Sequence, residues 1–197
     1  MRSLKAKLII FFSFLSLTAC SVFGDINVRV APYKITATDG VFELRHYERL
    51  VLVSTSMPDG MENASAPFRK LFNYISGKNN KEKNIEMTAP VFLDQTEQVS
   101  GSMSFVLPVE FDLSTAPSPS DSSVKITELT NYTVAVITYS GFLNQKTILA
   151  KKELLKSWII KRGLKINGEA KAAGYNPPFT LPFLRRNEIF FPVEFPG

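Results

Sequence analysis

The chain has 197 residues, of which 45% are hydrophobic and 12% aromatic, so it is long and apolar enough to form one domain, or a tightly fused pair, around a substantial core. Residues 1–19 supply +3 of the formal net charge of +5, and the +2 left on the remaining residues is too small to indicate a nucleic-acid-binding protein. The single cysteine, Cys20, and the single histidine, His46, exclude a disulfide framework, a cysteine-based zinc site and a histidine-rich metal site.

The N-terminus has the pattern of a secretory signal rather than of a folded element. Three cationic residues precede an apolar run at 8–17, which is shorter than the roughly 20 residues that a membrane-spanning helix needs. The run leads into Leu17-Thr18-Ala19-Cys20, which resembles the lipobox of bacterial lipoproteins, so we predict a signal peptide at 1–19 and a lipid on Cys20. By the same resemblance, Ser21 directs the protein to the outer membrane, facing the periplasm. The alternative is a buried structural cysteine beside an uncleaved anchor.

The first half of the predicted domain, which follows a spacer at 20–32, contains a helix between two pairs of strands. Alternating and β-branched residues predict the strands. Apolar residues at i, i+3, i+4 and i+7 predict a helix over 66–76 with one apolar face. That face is formed by Phe68, Leu71, Phe72 and Ile75. The strands are predicted at 41–47, 49–57, 89–94 and 100–111.

A second half with the same order of elements follows a Pro- and Ser-rich linker at 116–121. Its helix is predicted over 144–163, with Asn144 as the N-cap and Gly163 as the stop signal. Lysines line one side of this helix and can face either solvent or anionic lipid. Those lysines are Lys146, Lys151, Lys152 and Lys156. The strands are predicted at 123–129, 132–140, 169–175 and 187–195.

The two halves are related by a shift of 84 positions. Pro108-Val109-Glu110-Phe111 falls on Pro192-Val193-Glu194-Phe195, and Leu71 falls on Leu155, without any gap. The period is longer than that of short repeat arrays, so we predict two halves that close on each other. Because Pro-Val-Glu-Phe occurs at the end of both halves, we predict that both halves end in an equivalent strand.

Each half therefore has the predicted element order β-β-α-β-β, which leaves one sheet face and two sheet edges uncovered. Pairing the halves buries the faces and joins the edges. We predict a single α+β domain over 33–197, with halves at about 33–115 and 122–197.

Several short blocks spread over this domain resemble the SOUL / heme-binding protein family. They include Phe42-Glu43-Leu44-Arg45-His46-Tyr47, Met87-Thr88-Ala89-Pro90-Val91, Tyr175-Asn176-Pro177-Pro178 and Arg185-Arg186-Asn187-Glu188. The resemblance implies a distorted antiparallel β-barrel built from two pseudo-repeats and carrying two helices. It also implies weak, non-covalent binding of heme or another porphyrin in a shallow apolar groove, often without a fixed axial ligand.

The family groove lies along the first helix and the loop before the last strand, and this implies a set of binding residues here. They are Phe68, Leu71, Phe72, Ile75, Met87, Pro178, Phe179, Leu181, Arg185 and Arg186. Family members that bind by charge place cations near the heme propionates, where this chain has Ser65 and Leu181. Arg185 and Arg186 are candidates to replace those cations, and the alternative is that they hold Glu43 or Glu188.

His46 is the one candidate for an axial histidine ligand, and its alternative role is that of an ordinary strand residue. No nucleophile elbow, P-loop, dinucleotide fingerprint or zinc-protease motif is present, and no catalytic residue or metal site is predicted. The preferred function is therefore binding of heme, a porphyrin or another flat apolar molecule by a lipid-anchored protein of the bacterial envelope. Two alternatives remain: a small-molecule hydrolase with paired carboxylates in the same groove, or a protein-interaction module.

Overall fold

The computed structural model describes residues 28–58, 60–95 and 101–195. The predicted signal peptide at 1–19, Cys20 and most of the spacer at 20–32 lie outside these residues. None of the described helices is both long enough and apolar enough to cross a membrane.

Ten strands and two α-helices make up the described part of the chain. The strands are β1 Arg29–Val30, β2 Lys34–Asp39, β3 Phe42–Met57, β4 Thr88–Ala89, β5 Val91–Gln95, β6 Gly101–Val106, β7 Val124–Tyr139, β8 Lys165–Ile166, β9 Lys171–Gly174 and β10 Asn187–Glu194. The helices are α1 Ser65–Ile75 and α2 Gln145–Lys161. Six antiparallel strands close a barrel in the order β3-β6-β5-β9-β10-β7, because β7 pairs again with β3. β2 pairs with β3 and β8 with β10 at the margins of the barrel, and β1 and β4 form a separate two-stranded parallel sheet.

β3 and β7 are each one strand of 16 residues, where the sequence predicts two strands in each place. Their pairing continues through the polar interruption, with Tyr47 opposite Tyr132 and Arg49 opposite Thr130. Asn131 adopts a left-handed backbone conformation at this point, with φ at 50°. The interruption is therefore a place where long strands bend around the barrel, not a hairpin turn.

Two apolar cores lie on the two sides of the barrel wall. The interior contains Tyr47, Leu52, Phe92 and Phe190, together with other strand residues. The outer core packs the helices onto the wall. Its helical members include Leu71, Tyr74 and Ile75 from α1 and Ile148, Leu155, Trp158 and Ile159 from α2. The side chains of the strands alternate between these two cores, as the period of two requires.

The ends of α2 match the predicted signals. The Asn144 side chain accepts a hydrogen bond of 3.0 Å from the backbone N–H of Thr147, which is the N-cap interaction. Gly163 follows the helix with φ at 68°, a conformation that favours glycine. Both helix-end predictions are confirmed.

The expectation that both Pro-Val-Glu-Phe phrases form terminal strands is wrong for the first copy. β6 ends at Val106, and residues 108–111 form a turn in which the N–H of Phe111 donates to the carbonyl of Pro108. The second copy does extend β10 to Glu194, because β8 supplies an additional strand partner there. β6 lacks such a partner in the described part of the chain, so its ladder stops earlier.

The shift of 84 positions is visible in the geometry. Leu71 and Leu155 are each 0% exposed on equivalent helices. Along the β3–β7 ladder, Tyr47 pairs with Tyr132 and Arg49 with Thr130, which are 85 and 81 positions apart, so the sequence separation of paired residues passes through 84 between these two pairs. The local two-fold relation between the halves therefore passes through the middle of this ladder.

Candidate functional site

An open groove of about 670 Å³ lies between α1 and the loop before β10. Its floor is formed by Val91 and Leu93 of β5 and Met103 of β6. One wall is the N-terminal half of α1, and the other includes Leu143 and Pro178. The lining is mainly apolar, and its two walls come from different halves of the chain.

The apolar face of α1 is divided between this groove and the outer core. Phe68 and Phe72 lie on the groove side, 40% and 48% exposed, with their ring centroids 6.1 Å apart. Leu71 and Ile75, which the family resemblance also placed in the groove, are 0% and 4% exposed and pack in the outer core instead. An apolar stripe at this spacing covers an arc of about 100°, so its two edges can face different surroundings.

The loop between β9 and β10 contributes one of its three predicted apolar residues to the lining. Pro178 lines the groove, whereas Phe179 and Leu181 are 62% and 40% exposed and are absent from its lining. Met87, also predicted to line the groove, is half-buried and packs against the outer core. The structure thus brings together Phe68, Phe72 and Pro178.

The floor of the groove was missed by the sequence analysis. Phe92 belongs to the barrel interior, whereas its neighbours Val91 and Leu93 belong to the opposite face. Alternate residues of a strand point to opposite sides, so this alternation was the available signal. It does not by itself tell which part of the outer face is left uncovered by the helices.

The two arginines of the loop bind other groups of the protein, and Arg186 holds Glu188, as the alternative interpretation expected, whereas Arg185 holds neither Glu188 nor Glu43. Arg186 donates to Glu188 at 2.7 and 2.9 Å, and Arg185 donates to the carbonyls of Thr180 and Pro178. The cation that does line the groove is Arg69, which is exposed and has no hydrogen bond or ion pair within the described part of the chain.

A buried charge cluster lies beneath the loop. The Arg45 guanidinium, 1% exposed, donates to both oxygens of Glu188 at 2.8 and 2.9 Å, and Glu188 is 0% exposed. Tyr175 and Arg186 also donate to Glu188, and Arg45 reaches Glu43 at 2.7 Å. The positive charges of two arginines therefore equal the negative charges of two carboxylates within one network. Its hydrogen bonds join β3 to β10.

The ionisation of this network follows from its contacts. Burial acts to raise the pKa of Glu188, but the hydrogen bonds and charge of Arg45 and the charge of Arg186 outweigh it and leave that pKa lowered. Burial raises the pKa of Tyr175 well above its ordinary value, and the charge of Glu188 raises it further. Glu188 is therefore ionised and Tyr175 neutral at pH 7.

His46 lies away from the groove. Its Nδ1 atom is 3.1 Å from the hydroxyl oxygen of Thr133, in a separate cleft lined by Tyr33, Lys34 and Glu48. Among the described residues, no group of three or more His, Cys, Asp or Glu side chains is arranged to hold a metal ion. The described lining of the groove also contains no Asp or Glu.

Comparison with known sequences identifies relatives over most of the chain. Residues 28–192 match the family model of SOUL heme-binding proteins. Human heme-binding protein 2 is 36% identical over 174 residues, which cover 81% of this chain and 82% of that protein. Mouse heme-binding protein 1 is 28% identical over 184 residues, which cover 86% of this chain and 94% of that protein.

Solved structures show the same fold in more distant proteins. The C-terminal domain of EcmrR is similar with a TM-score of 0.57 and 14% identity, over 83% of this chain and 99% of that chain. A hydrolase from Listeria innocua is similar with a TM-score of 0.56 and 10% identity, over 81% of this chain and 94% of that chain. At these identities the likeness concerns the fold alone.

The predicted α+β barrel with two helices is confirmed by the closed six-stranded barrel. The family match spans both halves, from before β1 to within β10, and the human relative is similar over four-fifths of its length. The chain therefore belongs to the SOUL heme-binding protein family.

Proposed function

We propose that the chain binds heme, a porphyrin or another flat apolar molecule, without a covalent bond, in the groove beside α1. The observation that carries the proposal is the open apolar groove of about 670 Å³ with Phe68 and Phe72 on one wall and Pro178 on the other. Membership of the SOUL family and the names of the human and mouse relatives support heme as the first ligand to test.

Apolar contact is sufficient for binding of moderate strength. Burial contributes roughly 25 cal/mol per Å² of apolar surface. After an association cost of at least about 4 kcal/mol, burial of about 500 Å² gives micromolar affinity. The chain's single histidine lies in another cleft, so we expect the groove to hold a ligand by contact rather than by histidine coordination to iron.

Arg69 gives the groove a polar end. Its guanidinium has five N–H donors and suits a carboxylate better than any other side chain of the lining. We therefore expect a ligand with an apolar flat body and at least one carboxylate, and heme with its propionates has this chemistry. Asn176 and Ser65 are the neutral polar residues of the same lining.

The proposal concerns a binding role and not catalysis. A hydrolase with paired carboxylates would need two acidic side chains in the groove, and the described lining supplies none. The structural likeness to a hydrolase, at 10% identity, concerns the fold alone.

Titration of hemin into the protein, followed by Soret absorbance, tests the groove. We expect Phe72→Asp to weaken binding by about tenfold or more, because it places a carboxylate against the apolar body of the ligand. We expect His46→Ala to leave affinity and spectrum nearly unchanged, since its ring contacts Thr133 in the separate cleft. Loss of the Soret shift in His46→Ala would show axial ligation and contradict the proposal.

Arg69→Gln supplies a matched variant for the carboxylate contact. It should weaken the binding of hemin several-fold but not the binding of hemin dimethyl ester, which lacks the two carboxylate charges. Equal weakening for both ligands would mean that Arg69 acts only through packing of its alkyl chain. Absence of hemin binding by the unaltered protein would remove heme as the ligand.

We further propose that Cys20 carries a lipid and anchors the protein in the bacterial envelope, at the outer membrane and facing the periplasm. The Leu-Thr-Ala-Cys pattern after a short apolar run supports this part of the proposal.

Metabolic labelling with an alkyne analogue of palmitate tests the anchor. Wild-type protein should incorporate the label, and Cys20→Ala should not, because the acylated thiol is removed. Equal labelling of the two proteins, or a mature protein that still begins at Met1, would rule out this anchor.

A further inference from the structure

Six large apolar side chains, each at least 40% exposed, lie on α1 and on the two loops whose Leu143 and Pro178 form the opposite wall of the groove. We call them the apolar rim, and they are Phe68, Phe72, Phe142, Phe179, Leu181 and Phe183. Single exposed apolar residues are ordinary, but a group of them around one opening marks an interaction surface. Four of the six lie outside the lining of the groove, so ligand binding alone does not account for them.

The loops that carry the rim are held in place by internal hydrogen bonds. The N–H of Gly141 donates to the carbonyl of Pro182 at 2.7 Å, which joins the loop of Phe142 to the loop of Phe183. Within the second loop, Arg185 donates from its side chain to the carbonyl of Thr180 at 2.8 Å. The exposed rings are therefore presented by an ordered backbone, which lowers the entropic cost of inserting them into another phase.

The segments that carry the rim have an unusual charge composition. Residues 64–81, 141–152 and 170–187 contain lysines and arginines but no Asp or Glu. Arg69 lies on α1 between the two rim phenylalanines, and Lys146 lies in the first turn of α2, a few residues after Phe142. The segments of the apolar rim thus contribute cations and no acidic side chain, and of these cations Lys171 and Arg186 are paired with Asp94 and Glu188 from outside the segments.

We propose that the apolar rim docks on an anionic lipid bilayer, with the mouth of the groove facing the membrane. Aromatic side chains on loop tips with cations behind them match the interface of such a bilayer, where apolar groups enter the acyl boundary and cations meet phosphate headgroups. A protein partner would need an acidic, concave surface that is complementary in shape to the rim. A bilayer needs no such shape complementarity, because its headgroups supply negative charge and its acyl region accepts apolar side chains. The inference does not depend on which molecule occupies the groove.

A fluorescent label at the rim tests the proposal. Full-length protein with Cys20→Ser would carry a nitrobenzoxadiazole label at Phe183→Cys, or at Leu113→Cys as a matched control. Leu113 is 55% exposed and contributes to neither the groove nor the rim. With vesicles of phosphatidylcholine and phosphatidylglycerol, the label at 183 should shift to the blue and brighten, and the label at 113 should not. Because the N-terminal apolar run is present in both proteins, it cannot produce this difference.

A second variant measures the contribution of the rim. Phe142→Ser together with Phe183→Ser should weaken co-sedimentation with the anionic vesicles by about tenfold, since both rings are exposed in solution and become buried on docking. This double variant should keep the urea midpoint of the parent protein.

Equal responses of the two labels, or no response of either, would overturn the proposal and leave a protein as the partner of the rim. The same response with pure phosphatidylcholine vesicles would overturn the claim that anionic lipid is recognised. Addition of salt should reduce the response at 183, because it screens the attraction between cations and headgroups.

Discussion

Replacement of Glu188 by Gln is expected to lower the free energy of unfolding by about 3–5 kcal/mol, because it removes one carboxylate from a buried network and leaves an arginine charge uncompensated. Arg45 is 1% exposed and its fork donates to both Glu188 oxygens, so it cannot turn to water after the substitution. Urea denaturation followed by circular dichroism measures the change.

Glu48→Gln is the matched control. Its carboxylate forms an ion pair of 2.6 Å with Lys34, but both side chains are 72% exposed. An exposed pair contributes at most about 1 kcal/mol, so this variant should remain close to wild type. Equal effects of Glu48→Gln and Glu188→Gln would show that burial of the network is not what stabilises it.

The pH dependence of stability provides an independent check on Glu188. The pKa of this carboxyl is lowered in the folded protein, so its contribution is present above the unfolded value of about 4.3 and is lost as the pH falls through the folded value. Wild-type protein should therefore lose more stability between neutral and strongly acidic pH than Glu188→Gln does. The exposed carboxyls with lowered pKa are present in both proteins. Their contributions to the pH dependence of stability therefore cancel when the two proteins are compared.

Leu71→Ala and Leu155→Ala are each expected to destabilise the protein by about 2–5 kcal/mol, since both side chains are 0% exposed in the outer core and truncation leaves a cavity. Leu154→Ala is the matched control within the same helix, because Leu154 is 51% exposed and its truncation opens no cavity. We expect a change of no more than about 0.5 kcal/mol for it. Changes that small at both Leu71 and Leu155 would mean that the two helix faces contact water.

The helices were predictable because local signals determine them. An apolar period of 3.6 residues, the Asn144 cap and the Gly163 stop all lie within a few positions of the structure they produce. The barrel was predictable only through the resemblance to the family and the duplication, because its closure depends on pairing between distant strands. The sequence predicts two strands in the place of each 16-residue strand, because the polar middle of each strand has the composition of a turn.

The site was less predictable than the fold for a related reason. The apolar spacing of α1 identifies a face but not its division between Phe72 at the groove and Leu71 in the core, which depends on where the barrel wall ends. Arg186 binds a carboxylate two positions away, whereas Arg45 binds the same Glu188 across 143 positions, and only the folded chain shows that they share it. Arg69 had no sequence signal that separated it from other surface arginines.

The comparison of α1 with α2, which the internal repeat makes equivalent, limits how many ligands one chain can hold. At a distance of 84 positions, the core residues Leu71 and Ile75 correspond to Leu155 and Ile159, which are also buried apolar residues. The groove residues Phe68 and Phe72 correspond instead to Lys152 and Lys156, which are partly exposed cations. The second helix therefore retains the packing face but lacks the aromatic wall, and the expected stoichiometry is one flat ligand for each chain.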